Sequence, residues 1–497
     1  MNQDTEVGGE ATDGGALEGA GGRSVGEELH SLVRELYPIC RSITGDGVRE
    51  TLRRIGERIP LEVREVPTGT EVLDWTVPRE WNIREAWIRG PDGRKVVDFD
   101  DHNLHVVSYS SPVHRRMSLE ELRPHLHSLP DHPDWIPYRT SYYTEDWGFC
   151  LRHQTLKGLE SGEYEVLIDA DLEPGHLTYA ECVLPGRTDE EVLVSAHCCH
   201  PSLANDNLSG LAVATGLARA LQRRSDRRFT YRFVFAPATI GAITWLDRNE
   251  DAAVAQIRHG LVLAGVGDPG SPNYKRTRAG DAQIDRAVEY VLLNRSRRNG
   301  GGEEDTDHDI EHVLAPRGEA RSQTQETPDV GAGAARSHFH RSPSLHRFTP
   351  YGYDERQYGS PGFALPVGCL MRTPHGTYPE YHTSADDPEL VRPESLADTL
   401  ELCLEVFDLL EGNRRYRNLQ PKGEPQLGRR GLYRDTGGER LPDFESALLW
   451  VLAFSDGDHD LLAIAARSGL DFDAVRQAAD ALVESDLIAP IGAVDDG

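Results

Sequence analysis

The chain has 497 residues, 38% of them hydrophobic, and a mean hydropathy of -0.52. That is enough for two or three domains at about 100–200 residues each, and no run approaches the roughly 18–20 apolar residues of a spanning helix. The 53 basic against 82 acidic residues leave a net charge of -29, which disfavours nucleic acid as a partner because phosphate binding normally uses a basic face.

In chain order, residues 1–24 are rich in Gly, Glu and Asp. With neither a basic leader nor an apolar core, they read as a disordered tail on a cytoplasmic protein. Leu29, Leu32, Val33 and Leu36 recur at helical spacing, as do Val48, Leu52 and Ile55. Two helices are therefore expected in the segment 25–60. Between 61 and 184 the texture changes to short apolar alternations holding Trp75, Trp81, Trp87, Trp135 and Trp147, which predicts a separate β-rich inserted lobe. Buried aromatic side chains need partners, so this lobe is expected to fold over the functional pocket.

From 185 to 425 an α/β rhythm follows, with strands expected at Glu191–Ala196, Tyr231–Phe235 and Leu261–Val266 and a helix on Leu208, Leu211, Thr215 and Ala218. Alternating strands and helices imply a mostly parallel sheet flanked by helices. The stretch 295–343 lacks aliphatic periodicity and is expected to be a disordered insertion. Order is expected to resume with an apolar stretch Phe363–Leu370 and a helix from Pro393. Residues 431–497 show three short helical patterns, suiting a winged-helix module. This module carries four arginines against fourteen acidic residues, so it fits a protein partner better than DNA.

The segment from His197 through Cys198, Cys199 and His200 to Asp206 and Gly210 is the richest in chemistry. It lies past a buried strand and before an amphipathic helix, where open α/β sheets place ligands. Imidazole and carboxylate are good zinc ligands, so His197 and Asp206 are candidate ligands; the plainer alternative is Asp206 as a helix cap. Asp268, Tyr381 and His382 also follow expected strands, so all can converge on one sheet edge. Cys198, Cys199 and His200 could add a ligand or a nucleophile, but small apolar packing is the commoner use of Cys, and a Cys/His nucleophile is not expected. The seven cysteines are scattered and odd in number, unlike a secreted disulfide framework. Lys95, Lys157, Lys275 and Lys422 are the only lysines, and an acid-rich, arginine-based surface suggests salt adaptation.

These stretches, with Arg41-Ser42-Ile43-Thr44-Gly45, Tyr351–Tyr358, Ser360–Phe363, Tyr378–Ser384 and Ala447–Leu452, resemble the cocatalytic zinc aminopeptidase superfamily. More narrowly, the chain resembles a microbial subgroup with an inserted β-rich domain and a C-terminal winged helix, linked to polysaccharide biosynthesis loci. The resemblance implies a zinc aminopeptidase-like α/β fold and a hydrolase acting on a peptide or aminoacyl amide. It implies His197, Asp206, Asp268 and His382 as metal ligands, and Tyr381 as a residue that stabilises the tetrahedral intermediate. One departure stands out: where the subgroup has Pro-Glu-Thr-Ile-Gly, this chain has Pro237-Ala238-Thr239-Ile240-Gly241.

Alanine accepts no proton, so catalysis is expected to be weakened unless Glu355 substitutes as base, with Arg356 binding a substrate carboxylate. The shortened ligand set implies one zinc ion rather than two. The rival readings are a metal-binding pseudoenzyme or scaffold and a metabolite-sensing regulator tied to polysaccharide biosynthesis. Expected partners are a peptide or aminoacyl small molecule, a protein docking on the C-terminal module, and a second copy of the chain, with no membrane.

Overall fold

A computed structural model of the chain describes residues 24–298, 342–432 and 443–491. The tail expected at 1–24, apart from Ser24, and most of the insertion expected at 295–343 lie outside them. The chain opens with α1 (Val25–Leu36), whose N-terminus is closed by a capping box between Ser24 and Glu27, and α2 (Asp46–Gly56). Strand β1 (Glu62–Pro67) leads into a lobe containing β2 (Glu80–Arg89), β3 (Lys95–Asp98), β4 (Val113–Ser118) and β5 (Glu163–Glu173). The α/β unit then runs β6 (His176–Leu184), β7 (Glu191–His197), α3 (Gly210–Gln222), β8 (Thr230–Ala236), α4 (Ile240–Arg248), β9 (Ile257–Leu263), β10 (Asn273–Lys275), α5 (Gln283–Arg298), β11 (Ser344–His346), β12 (Val367–Met371) and α6 (Pro393–Gly412).

The main sheet has eight strands in the order β1-β6-β8-β7-β9-β12-β10-β11. Strands β8, β7, β9 and β12 are parallel, whereas β1, β6 and β10 join antiparallel. The expected parallel sheet is therefore its centre. Along β7, Val192, Val194 and Ala196 enter one hydrophobic core and Leu193 the other, so the strand is apolar on both faces. Helices α1, α3 and α6 pack on the first face; α4 and the lobe cover the second.

Three boundaries differ from the sequence expectation. The lobe is narrower than 61–184, because β1 and β6 at its ends pair with each other and β6 extends to β8 in the main sheet. Local alternation marks a strand but not its partner. The lobe itself is a four-stranded sheet ordered β3-β2-β5-β4, with Trp81 and Trp87 buried and Trp75 exposed. The insertion begins later than 295, since α5 continues to Arg298 and Arg295 is held by Asp398 and Glu405 at 2.7 and 2.9 Å. Strand β9 ends at Leu263 rather than Val266.

Downstream of α6, β13 (Arg415–Asn418), α7 (Asp443–Phe454), β14 (Asp456–Asp460), α8 (Leu461–Ser468), α9 (Phe472–Glu484) and β15 (Ile488–Pro490) form the winged-helix unit. Its core is continuous with that of the main sheet. Arg286 on α5 pairs with Asp460 at 2.6 Å, and the Phe472 N–H at the start of α9 donates to the Tyr290 hydroxyl at 3.0 Å. The end of the helix that a winged helix would offer to DNA is thus packed against the α/β unit. No helix among the described residues is long and apolar enough to cross a membrane.

Candidate metal centre

The parallel register sets His197, the last residue of β7, beside Ala236, the last of β8. The parallel central strands therefore release their following loops at one edge, where ligands gather in such sheets. After His197 the chain makes an irregular turn through Asn205, Asp206 and Asn207 before entering α3. Side chains knit this turn to the loop after β9. Asn207 donates to the Leu263 carbonyl at 2.8 Å and accepts from the Gly265 N–H at 3.2 Å. Asn205 accepts from the Gly267 N–H at 2.8 Å. Gly210 is required here, because a Cβ on it would lie 2.5 Å from the Leu263 carbonyl oxygen.

The turn delivers Asp206 to the centre of an imidazole cluster. Its Oδ1 lies 3.0 Å from His197 Nε2, and its Oδ2 lies 3.0 Å from His382 Nε2 and 3.7 Å from His200 Nδ1. Asp206 is fully buried and does not cap α3, whose N-terminus has no side-chain cap; the plainer reading of this residue is set aside. Burial alone would raise its carboxyl, but the His200, His197 and His382 imidazoles outweigh burial and hold it well below the usual carboxylate range. Burial pushes His200 down to about 3, so its ring is neutral at ordinary pH and has a lone pair to give a metal.

The donors fit zinc. Ligand atoms of His197, His200 and Asp206 all lie within 4.8 Å of one another. Zinc–ligand bonds of about 2.0–2.2 Å in a tetrahedral shell put neighbouring donors roughly 3.4 Å apart, and the observed 3.0 and 3.7 Å spacings bracket that value. A buried carboxylate among three imidazoles is also the chemistry such an ion selects.

Of the four expected ligands the structure brings together His197, Asp206 and His382, but not Asp268. Both Asp268 oxygens are taken: Oδ1 accepts from the Thr373 hydroxyl at 2.6 Å and the Gly270 N–H at 2.8 Å, and Oδ2 accepts from Thr373 N–H and Asn205 Nδ2, each at 3.1 Å. Asp268 supports the loop from behind. His200 joins the cluster in its place, and its signal was the His-x-x-His spacing after β7. Glu355 is fully buried and paired with Lys275. Neither it nor Arg356 lines the cavity over the cluster; both open a short helix, Glu355–Tyr358, that packs against β12 and α4.

Two further residues support the cluster without having been expected in a site role. Asp386 accepts the backbone N–H groups of Asn205 and Asp206 at 2.6 and 3.0 Å. Arg41, almost fully buried, donates to the carbonyls of His200 and Leu36 at 2.9 and 2.7 Å. Aromatic rings wall the cluster: Tyr381 stacks on His382 with centroids 4.0 Å apart, and Tyr353 stacks on His197 at 5.4 Å. Burial raises the Tyr381 phenol, leaving it a donor at neutral pH. Ala238 and Thr239, joined by a cis peptide, follow β8 at the same sheet edge and carry no carboxylate.

The lobe roofs this edge. Pro137 bridges to Thr383, the Tyr138 N–H donates to the His382 carbonyl at 2.8 Å, and the Ser384 N–H donates to the Ile136 carbonyl at 2.8 Å. The Tyr138 ring stands edge-on to both His200 and His382 at 5.1 Å. Between lobe and cluster lies a cavity of about 640 Å³ whose lining includes Tyr138, Arg139, Tyr142, His200, Tyr381 and His382.

Comparison with known proteins agrees with this architecture. Residues 30–303 and 320–413 match a family model described as a domain of unknown function (DUF4910), and residues 414–490 match a winged helix-turn-helix model. A Clostridium acetobutylicum protein, provisionally described as a polysaccharide biosynthesis protein with aminopeptidase-like domain, is 47% identical over 464 residues, spanning 93% of this chain and 96% of its own. A crystal structure from Clostridium acetobutylicum, provisionally assigned as a peptidase, superposes with a TM-score of 0.78 at 45% identity, covering 94% of this chain and 96% of that one. A zinc aminopeptidase from Bacillus subtilis shares the fold at a TM-score of 0.51 and 12% identity, covering 78% and 94%.

Proposed function

The chain belongs to the DUF4910 family, here joined to a winged helix-turn-helix unit, and from that premise we propose that it is a zinc-dependent hydrolase of amide bonds. One observation carries the reading: a fully buried Asp206 carboxylate lies 3.0 Å from both His197 and His382, with His200 beside it, beneath an open cavity that His200 and His382 line. His197, His200, Asp206 and His382 would hold the ion, which supplies polarisation of a carbonyl oxygen and a more acidic water. Asp206 orients the imidazoles on either side of it. Tyr381, held flat against His382, donates a hydrogen bond to the carbonyl oxygen as negative charge develops. The lobe segment Pro137–Tyr138 excludes water from the far side.

Ala238 favours a second reading, a metal-binding sensor without turnover. Proton transfer by a positioned carboxylate is worth about 10²–10⁴-fold, and Ala238 cannot supply it. Glu355, paired with Lys275 away from the cavity lining, is poorly placed to replace it. The test is hydrolysis of a panel of aminoacyl and acyl anilides by zinc-loaded protein and by Ala238→Glu. Slow hydrolysis that Ala238→Glu accelerates supports a hydrolase with a lost base. Zinc binding with no turnover in either protein supports the sensor.

A further inference from the structure

The cavity over Asp206 has a charge character opposite to that of the chain. Of the 82 acidic residues in the sequence, none lines it among the described residues, although Arg139, His132, His200 and His382 do. Glu380 lies between the lining residues Pro379 and Tyr381 yet does not itself line the cavity. Arg139 forms no ion pair among the described residues, is exposed and belongs to the cavity lining. Its backbone is fixed on both sides. The preceding Tyr138 N–H is bonded to the His382 carbonyl, and the Arg139 carbonyl accepts the Ser108 N–H at 2.8 Å.

A free α-ammonium group carries three donors and a charge, and enclosing it without a counter-ion is costly. Here it would meet no carboxylate except Asp206, whose two oxygens already face His197 and His382 at 3.0 Å, and it would face a cation in Arg139. A carboxylate finds the reverse: a guanidinium with forked donors, and the Ser128 and Thr140 hydroxyls in the same lining. We propose that the cavity takes amides bearing a carboxylate, with Arg139 as counter-ion, and does not select a free α-amino group. This rests on the hydrolase reading and narrows its substrate class.

Calorimetric titration of the full-length, zinc-loaded protein with glutarate, inorganic phosphate and leucinamide tests it, alongside hydrolysis of glutaryl and leucyl anilides. Arg139 lies on an exposed segment, so Arg139→Met and Arg139→Glu should fold, and zinc content checks the centre. The expected result is glutarate binding weakened about 10- to 100-fold by Arg139→Met, further by Arg139→Glu, with zinc unchanged and no leucinamide binding to the native protein. Tighter binding of leucinamide than glutarate, or glutarate binding indifferent to Arg139, overturns the inference. Phosphate bound more tightly than glutarate, with the same Arg139 dependence, overturns the carboxylate assignment in favour of a phosphate ester. Arg139-dependent glutarate binding without turnover of either anilide supports this inference and refutes the hydrolase reading alone. Leucyl anilide hydrolysis insensitive to Arg139 refutes this inference alone.

Discussion

Asp386 lies behind Asp206 and accepts its backbone N–H at 3.0 Å, so one buried carboxylate positions the peptide that carries another. The same Asp386 side chain takes the Asn205 N–H at 2.6 Å. Replacing it with asparagine keeps the volume but presents an amide donor to one of these N–H groups. Asp386→Asn is expected to weaken zinc binding about 10- to 100-fold, the usual cost of losing a partner that orients a ligand, with the far-ultraviolet circular dichroism unchanged. Competition with a chromophoric chelator measures it; an unaltered affinity would show that the turn holds itself.

Arg41 ties the helical start of the chain to the metal loop through the His200 and Leu36 carbonyls. A lysine cannot fan its donors to both carbonyls and to Thr51, which also accepts from Arg41 at 3.2 Å. Arg41→Lys should destabilise the protein by about 1–3 kcal/mol by leaving a buried acceptor unpaired. Urea denaturation reads this out, and a change below about 0.5 kcal/mol, the range of an ordinary surface substitution, would count against the role.

Arg49 on α2 clamps Glu80 on β2 at 2.6 Å, joining the α/β unit to the lobe. The Arg49 hydrogen bond holds Glu80 down to about 2, against 4.5 unperturbed. A depressed carboxyl contributes stability that is complete above its unfolded value and is lost as pH falls through the folded one. The stability gap between native protein and Arg49→Met should therefore be full at pH 6 and shrink between pH 4.5 and 2. A gap that stays constant in thermal denaturation across that range would mean that the pair contributes nothing.

The winged-helix unit should not bind DNA. The start of α9 is packed on Tyr290, and on its outer face Arg476 pairs with Asp473 at 3.1 Å, leaving little free positive charge for phosphates. Fluorescence anisotropy with a 30-base-pair duplex should show no binding at 50 mM or 200 mM salt. Binding that weakens steeply between those salt concentrations, the mark of phosphate contacts, would reverse the assignment.

The sequence made much of this legible because burial and periodicity coincide. The β7 run and the amphipathic α1, α2 and winged-helix patterns each became the expected element, and His197, Asp206 and His382 converge as their places after strands implied. Asp268 misled because it too follows an apolar run. In the fold β9 stops at Leu263, and the next residues stay buried because Asn205, Asn207 and Ser209 satisfy their amides in place of a strand neighbour. That substitution of side chain for strand has no periodic signature. Asp386 and Arg41 were hidden for a similar reason: each acts on backbone groups far away in sequence, across gaps of 180 and 159 residues.

Zinc content bears most directly on the central claim that Asp206 and its imidazoles form a metal centre. Full-length protein, dialysed after zinc exposure and measured by atomic emission, should retain about one ion per chain, in keeping with a single Asp-centred donor set, and Asp206→Asn should lose it while remaining folded. Zinc absent from the native protein, or retained equally by Asp206→Asn, would contradict the account.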